Sequence, residues 1–207
     1  MDRFPIQSGV LAVVAAAMFA STSQAWFHLW RFNEIYSNAD GSVQFIEMFV
    51  NTNGEWYATS GLFGQNNPPI PIFLKTGSHT FQFDHDLNTS IPTTNKTILI
   101  ATAGFESLPN LPQPPNAQVV PDYIIPSNFF NPVSDTITFC QRSCTGNFIW
   151  EVKPISNHPT DGITSLHYPF GGFQTPSPPG TAGVNSPKNF LSVTGQLDLS
   201  IPPPCTY

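Results

Sequence analysis

Residues 38–47, NADGSVQFIE, decide the fold. Asp40-Gly41 is a strong short-range hairpin signal, an acidic residue followed by a glycine free to adopt φ > 0. It predicts the two central positions of a tight turn. After it, Val43, Phe45 and Glu47 alternate with Gln44, Ile46 and Met48, the period of a strand. Before it, FHLWRFNEIYS (27–37) carries an apolar alternation of its own, so the whole stretch reads as a hairpin. Glu47 then shares a face with Val43 and Phe45. A carboxylate on such a face needs a partner or exposure to water, and Arg31 is the nearest candidate in sequence.

Outward from the hairpin, strand signals recur and helix signals do not. EWYATSGLF, PIPIFLKT, HTFQFDHDL, KTILIATAGF, YIIPSNFF, DTITFC, NFIWEVKP and QLDLSI each read as a strand or part of one. With 22 Pro and 14 Gly, few windows stay clean for three helical turns. QNNPPIP, LPNLPQPPNAQ and residues 169–189 are dense in turn formers and read as loops. No repeat and no second domain is visible. The expectation is all-β: one immunoglobulin-like antiparallel sandwich, or a Greek-key barrel, of about eight or nine strands with long Pro/Gly-rich loops.

The first 25 residues read differently. MDRFPIQSG carries Arg3, VLAVVAAAMFA (10–20) is an unbroken apolar run, and Ser23-Gln24-Ala25 offers small residues for cleavage. This is the layout of a secretory signal peptide, too short to span a bilayer. Cleavage after Ala25 leaves a mature domain of residues 26–207, secreted, periplasmic or extracellular, with no later segment suited to a membrane span. The net charge of −6 and the 7 scattered Lys+Arg leave no basic stripe for phosphates, which excludes a nucleic-acid binder. In an oxidising compartment Cys140 and Cys144, between two strand-like runs, are a disulfide candidate that acts as a local staple. Cys205 is left over: free, paired with another chain, or a replacement partner in that bridge.

FNEIYSNADGSVQFIEMF (32–49) resembles the opening of the lamin-tail-like β-sandwich domains of exported bacterial proteins, with their "NEI" strand, Asp-Gly turn and "FIE" strand. TNKTILIATAGF, PDYIIPSNFF, TDGITSL and NSPKNF carry the resemblance to about Leu197. It implies a β-sandwich that is usually a non-catalytic module. The enlarged PPNAQ loop and the Cys140/Cys144 pair depart from that pattern.

Candidate chemistry is thin. Asp40, Glu47, Asp84 and Asp86 supply oxygens of the kind calcium takes, though not at EF-hand spacing; they are the candidate calcium ligands, and no other cofactor is expected. Glu34 with Glu47, on neighbouring strands, is the pair a glycoside hydrolase would need. His85 between Asp84 and Asp86 invites a metal reading, but strand alternation sends it to the opposite face. A Ser-His-Asp triad is open in principle, yet no G-x-S-x-G elbow is present and the five His sit in no catalytic signature. NTS at Asn88 and NKT at Asn95 match the glycosylation sequon. Among the aromatics Trp26, Trp30, Trp56, Tyr57, Phe170 and Phe173, the last four are the candidates for contacting a carbohydrate or protein partner. The reading these residues support is an exported, non-catalytic binding or structural module. The alternatives are a secreted hydrolase or metal-dependent enzyme using loop carboxylates, and a calcium-stabilised adhesin.

Overall fold

The computed structural model describes residues 27–56, 71–108, 119–171 and 178–200. Among them, ten strands, one α-helical turn and a 3-10 turn (Gly146–Phe148) are found: β1 (Arg31–Ser37), β2 (Gln44–Val50), β3 (Ile72–Lys75), β4 (Thr80–Gln82), β5 (Lys96–Thr102), α1 (Ala103–Glu106), β6 (Tyr123–Ile125), β7 (Ser134–Gln141), β8 (Ile149–Ser156), β9 (Thr164–His167) and β10 (Thr181–Val184). They form a six-stranded sheet, in the order β10-β9-β1-β2-β5-β6, and a four-stranded sheet, β4-β3-β7-β8. The protein is an all-β sandwich. One pairing departs from the antiparallel expectation: β6 runs parallel to β5. A parallel neighbour needs a crossover, and the chain makes one through α1 and the residues after it.

The opening hairpin exists with a wider loop than a two-residue turn. Ser37 pairs with Gln44, and Gly41 donates its N–H to Asn38 O, so Ala39 and Asp40 are the central turn residues and Gly41 follows them at φ +68°. Gly41, not Asp40, leaves the centre: Asp40 Oδ1 accepts from the Ser42 N–H and hydroxyl, a local turn that closes over Gly41. A Cβ on Gly41 would overlap the Asn128 side chain, whose backbone N–H donates to Gly41 O, so glycine is required twice over. A bulge between Phe32 and Glu34 inserts Asn33 and leaves Glu34 directly opposite Glu47.

Alternation along β2 and β5 sorts their apolar residues to two faces. Ile46, Met48, Val50, Ile98 and Ile100 point between the sheets and join Trp30, Phe83, Phe139 and Tyr123 in the main core. Phe83 sits at its centre, edge-on to Phe27, Phe81, Tyr123 and Phe139 with centroids 4.8–6.2 Å apart. Tyr36, Phe45, Leu99 and Ala101 point the other way, into a second apolar cluster with Phe105 of α1, Val119 and Leu197. The six-stranded sheet is therefore covered on both faces. That is why KTILIAT is a nearly continuous apolar run and not an alternating one.

Two expectations about the chain's last third are corrected. Residues 169–189, read as loop, contain β10, which pairs with β9. QLDLSI, read as a strand, forms none over its described residues. It turns along the outer face of the six-stranded sheet, where Asn185 ties it down through Leu197 N–H and Leu197 O. EWYATSGLF has no strand at Glu55-Trp56, and its remaining residues lie outside the described ones. Cys140 and Cys144 are joined in a disulfide at the end of β7. Among the described residues, no helix is long and apolar enough to cross a membrane.

Candidate functional site

The outer face of the six-stranded sheet carries a row of chemistry-bearing side chains. Register places His167 of β9 beside Glu34 of β1, and Glu34 beside Glu47 of β2. Two carboxyl groups on one face of adjacent strands is what the sequence suggested for Glu34 and Glu47, and the structure brings them together. They do not face a cleft. Glu34 is 0% and Glu47 2% exposed, because residues 185–190, NSPKNF, run across the strands on top of them.

This strap is held by its own backbone. Ser186 donates its N–H to Glu34 Oε1 (2.8 Å) and its hydroxyl to Glu34 Oε2 (2.8 Å). Lys188 donates its N–H to Glu47 Oε2 (2.6 Å), and Phe190 its N–H to Asp122 Oδ2 (2.9 Å). The donors are alternate residues, so in extended chain their N–H groups point the same way, down onto the sheet. The acceptors step from β1 to β2 to Asp122, whose Oδ2 also takes the Leu99 N–H of β5 at 2.8 Å. A segment laid across a sheet face finds no free carbonyls there to pair with. Three acidic side chains supply the acceptors instead.

Each carboxyl is satisfied a second time by the sheet. Ser165 donates to Glu34 Oε1 (2.7 Å), and Asn33, the bulged residue, to Glu47 Oε1 (2.6 Å). Arg31, the partner expected for Glu47, instead donates to the carbonyls of His28 and Trp30. Burial, and after it the neighbouring Glu34, push Glu47 up to about 8. Burial alone pushes Asp122 up to about 6, against the two N–H bonds that hold it down.

Ser165, His167 and Glu34 look at first like a hydrolytic triad. Ser165 Oγ lies 3.1 Å from His167 Nε2, and His167 Nδ1 lies 3.8 Å from Glu34 Oε2. The hydrogen bonds run the wrong way for one. Nε2 is also 3.0 Å from Val184 O, which can only accept, so Nε2 carries the proton and is no base towards Ser165. The Ser165 hydrogen goes to Glu34, and the serine is 0% exposed. A nucleophile needs an adjacent free base and a way in.

The same device recurs at the molecule's start. Glu55 Oε2 accepts the Leu29 N–H and Glu151 Oε2 the Phe32 N–H, while Lys153 pairs with Glu151 at 3.1 Å and covers the Tyr168 ring. Burial pushes Glu55 up to about 7 and Glu151 above its usual range.

The remaining candidates are dispersed. Asp40 is exposed and engaged with Ser42, far along β2 from buried Glu47. Asp84 is exposed and bonds His85 Nδ1 at 2.7 Å. That contact corrects the face assignment: β4 ends at Gln82, so strand alternation no longer separates the pair. Asp86 is half-buried. Among the described residues, no group of three His, Cys, Asp or Glu side chains is placed to hold a metal ion. Trp56 is half-buried against the main core, its Nε1 donating to Ile91 O. Phe170 is 42% exposed and stands edge-on to Phe49, centroids 5.0 Å apart. Tyr57 and Phe173 lie outside the described residues.

The four-stranded sheet presents the opposite surface. Ser134, Thr136 and Thr138 alternate with the core residues Ile137 and Phe139, so their hydroxyls face outward. With Lys75, Ile149 and Cys144 they line an open groove of about 450 Å³. Comparison with protein-family models, with curated proteins and with solved structures finds no match to this chain.

Proposed function

We propose that the protein is an exported, non-catalytic β-sandwich module of the lamin-tail-like kind, serving a binding or structural role at the cell envelope or outside the cell. One observation carries this reading. The acidic pair best placed for catalysis, Glu34 and Glu47, has its oxygens turned to the chain's own Ser165, Ser186, Asn33 and Lys188. A general acid or base must reach a substrate proton, and here the strap occupies that position. The Cys140–Cys144 disulfide supports the compartment, because such bonds persist where the surroundings are oxidising. The surface left for a protein or carbohydrate partner is the hydroxyl-lined groove of the four-stranded sheet, of a size suited to a small ligand or part of a larger one.

The test is a set of chromogenic ester, peptide and glycoside substrates given to the mature chain and to Glu47→Gln and Ser165→Ala. The module reading expects no turnover by any of the three, and lower melting temperatures for the variants. Turnover that the variants lose would overturn it. Fractionation of expressing cells, with the N-terminus of the exported product read directly, checks the compartment: Trp26 is the expected first residue.

A further inference from the structure

The disulfide lies beside the open groove, with Cys140 buried on β7 but outside both apolar clusters, and its surroundings are those of a bond made to open. Four features coincide. The bridged residues are separated by 4 positions, so the ring restricts the unfolded chain little. Two non-glycine residues of that ring, Arg142 and Cys144, are held at φ +55° and +54°, a conformation L side chains adopt at a cost. Gln141, beside Cys140 in the ring, has its Oε1 buried without a hydrogen-bond partner. Finally, the two cysteines differ in exposure: Cys140 is 0% exposed on β7, while Cys144 is half-buried and forms part of the groove wall.

We propose that Cys140–Cys144 is a thiol-exchange site, attacked at Cys144 Sγ from the groove by a low-molecular-weight thiol. The incoming thiolate forms a new S–S bond to Cys144 as the Cys140–Cys144 bond breaks. Cys140 leaves with the electron pair and takes up a proton. The incoming sulfur and Cys144 then share a mixed disulfide, and a second thiol can release Cys144 by attacking the incoming sulfur. The net change reduces the bridge and oxidises two thiols to their disulfide. Phe73 O and Thr138 O, 3.8 and 3.9 Å from Cys140 Sγ, are ready acceptors for the S–H so formed. Arg142, exposed within the ring, lies with its guanidinium over the Phe148 ring, 4.9 Å from its centroid. The sandwich has its cores elsewhere, so the exchange leaves the fold intact. This activity is independent of the module's binding role.

The experiment uses the full mature chain carrying Cys205→Ser, so that only the pair remains. Graded reduced glutathione is added, thiols are counted by alkylation and mass spectrometry, and the melt is followed in parallel. The expected result is complete reduction in the folded protein, with the glutathione adduct trapped on Cys144. Reduction that waits for unfolding, or an adduct on Cys140, would overturn the proposal. Single-thiol chains give a second reading. With Cys205→Ser in both, Cys140→Ser should react with an aromatic disulfide reagent at least about tenfold faster than Cys144→Ser, because access to the sulfur sets the rate. Equal rates in two folded variants would also overturn it.

Discussion

The two outer faces of the sandwich are built from the same kind of strand and end in opposite states. The six-stranded sheet is roofed by residues 185–200 and α1, and every acidic side chain beneath the strap binds backbone of the protein itself. Among the described residues nothing roofs the four-stranded sheet, whose outer face carries exposed Ser134 and Thr136 and half-buried Thr138 beside Lys75. Buried carboxyl groups are usually read as machinery. Here the buried ones are fasteners, and the hydroxyls face outward.

The largest effect that would sharpen this contrast is expected from Glu34→Ala. It strands the Ser186 N–H and hydroxyl and the Ser165 hydroxyl under the strap. Orphaned buried groups cost about 1–3 kcal/mol each, so the loss should be about 3–5 kcal/mol by chemical denaturation. At this size that is roughly a 10 °C lower Tm. Hydrogen exchange at residues 186–190 should rise with it. A loss under about 1 kcal/mol would mean the strap is not fastened through Glu34.

The next effect is a pH dependence. Glu47 in the folded protein sits near 8, above the 4.5 of a free glutamic acid. The folded state therefore holds its proton more tightly than the unfolded one. Stability from this group is full below about pH 4.5 and is lost as pH rises towards 8. The histidines His28 and His158, held below their usual 6.5 by burial, act in the opposite direction but only below that value. Between pH 6.5 and 8 the fall from Glu47 should be about 2 kcal/mol. Glu55, raised to about 7, and Glu151 add to it in the same direction, so Glu47→Gln should remove the larger part of the slope and leave the remainder. A flat profile in the unaltered chain, measured by urea denaturation at each pH, would break the account of Glu47.

A smaller effect belongs to the open face. Thr136→Val and Ser134→Ala should each change stability by no more than about 0.5 kcal/mol, since their hydroxyls face water. A loss like that of Glu34→Ala would show the face to be covered after all. Smallest of all, replacing EDTA by calcium should leave the melt within about 1 °C, against the roughly 5–10 °C a well-filled site would add. Asp40 already spends its Oδ1 on Ser42.

The strands were legible because their signals are local. Asp40-Gly41, the Val43/Phe45/Glu47 alternation and the apolar KTILIAT run each report a neighbour-to-neighbour constraint, and each became a strand or a turn. The disulfide was legible for the same reason. The clasp was not. Its acceptors at 34, 47 and 122 and its donors at 186, 188 and 190 are joined only through the fold. The strap's Pro and Asn made it look like loop, which by local conformation it is. The one available hint was Glu47 on an apolar face, which demanded a partner. Sequence proximity offered Arg31, and packing chose Asn33 and the Lys188 backbone. The triad-like trio of Ser165, His167 and Glu34 was equally invisible, since one member comes from β1 and two from β9.

The bond from Ser186 to Glu34 spans 152 residues of chain. Contacts of such separation close late and slow the search for the native state. A polypeptide still lacking residue 186 has a glutamic acid on β1 without its Ser186 partner, and a sheet face that α1 and Val119 cover only in part. Completion of the sandwich is therefore tied to arrival of its last segment. A chain that must stay unfolded while it is being made or moved is served by such an order, because the final stitch is also the one that seals the first.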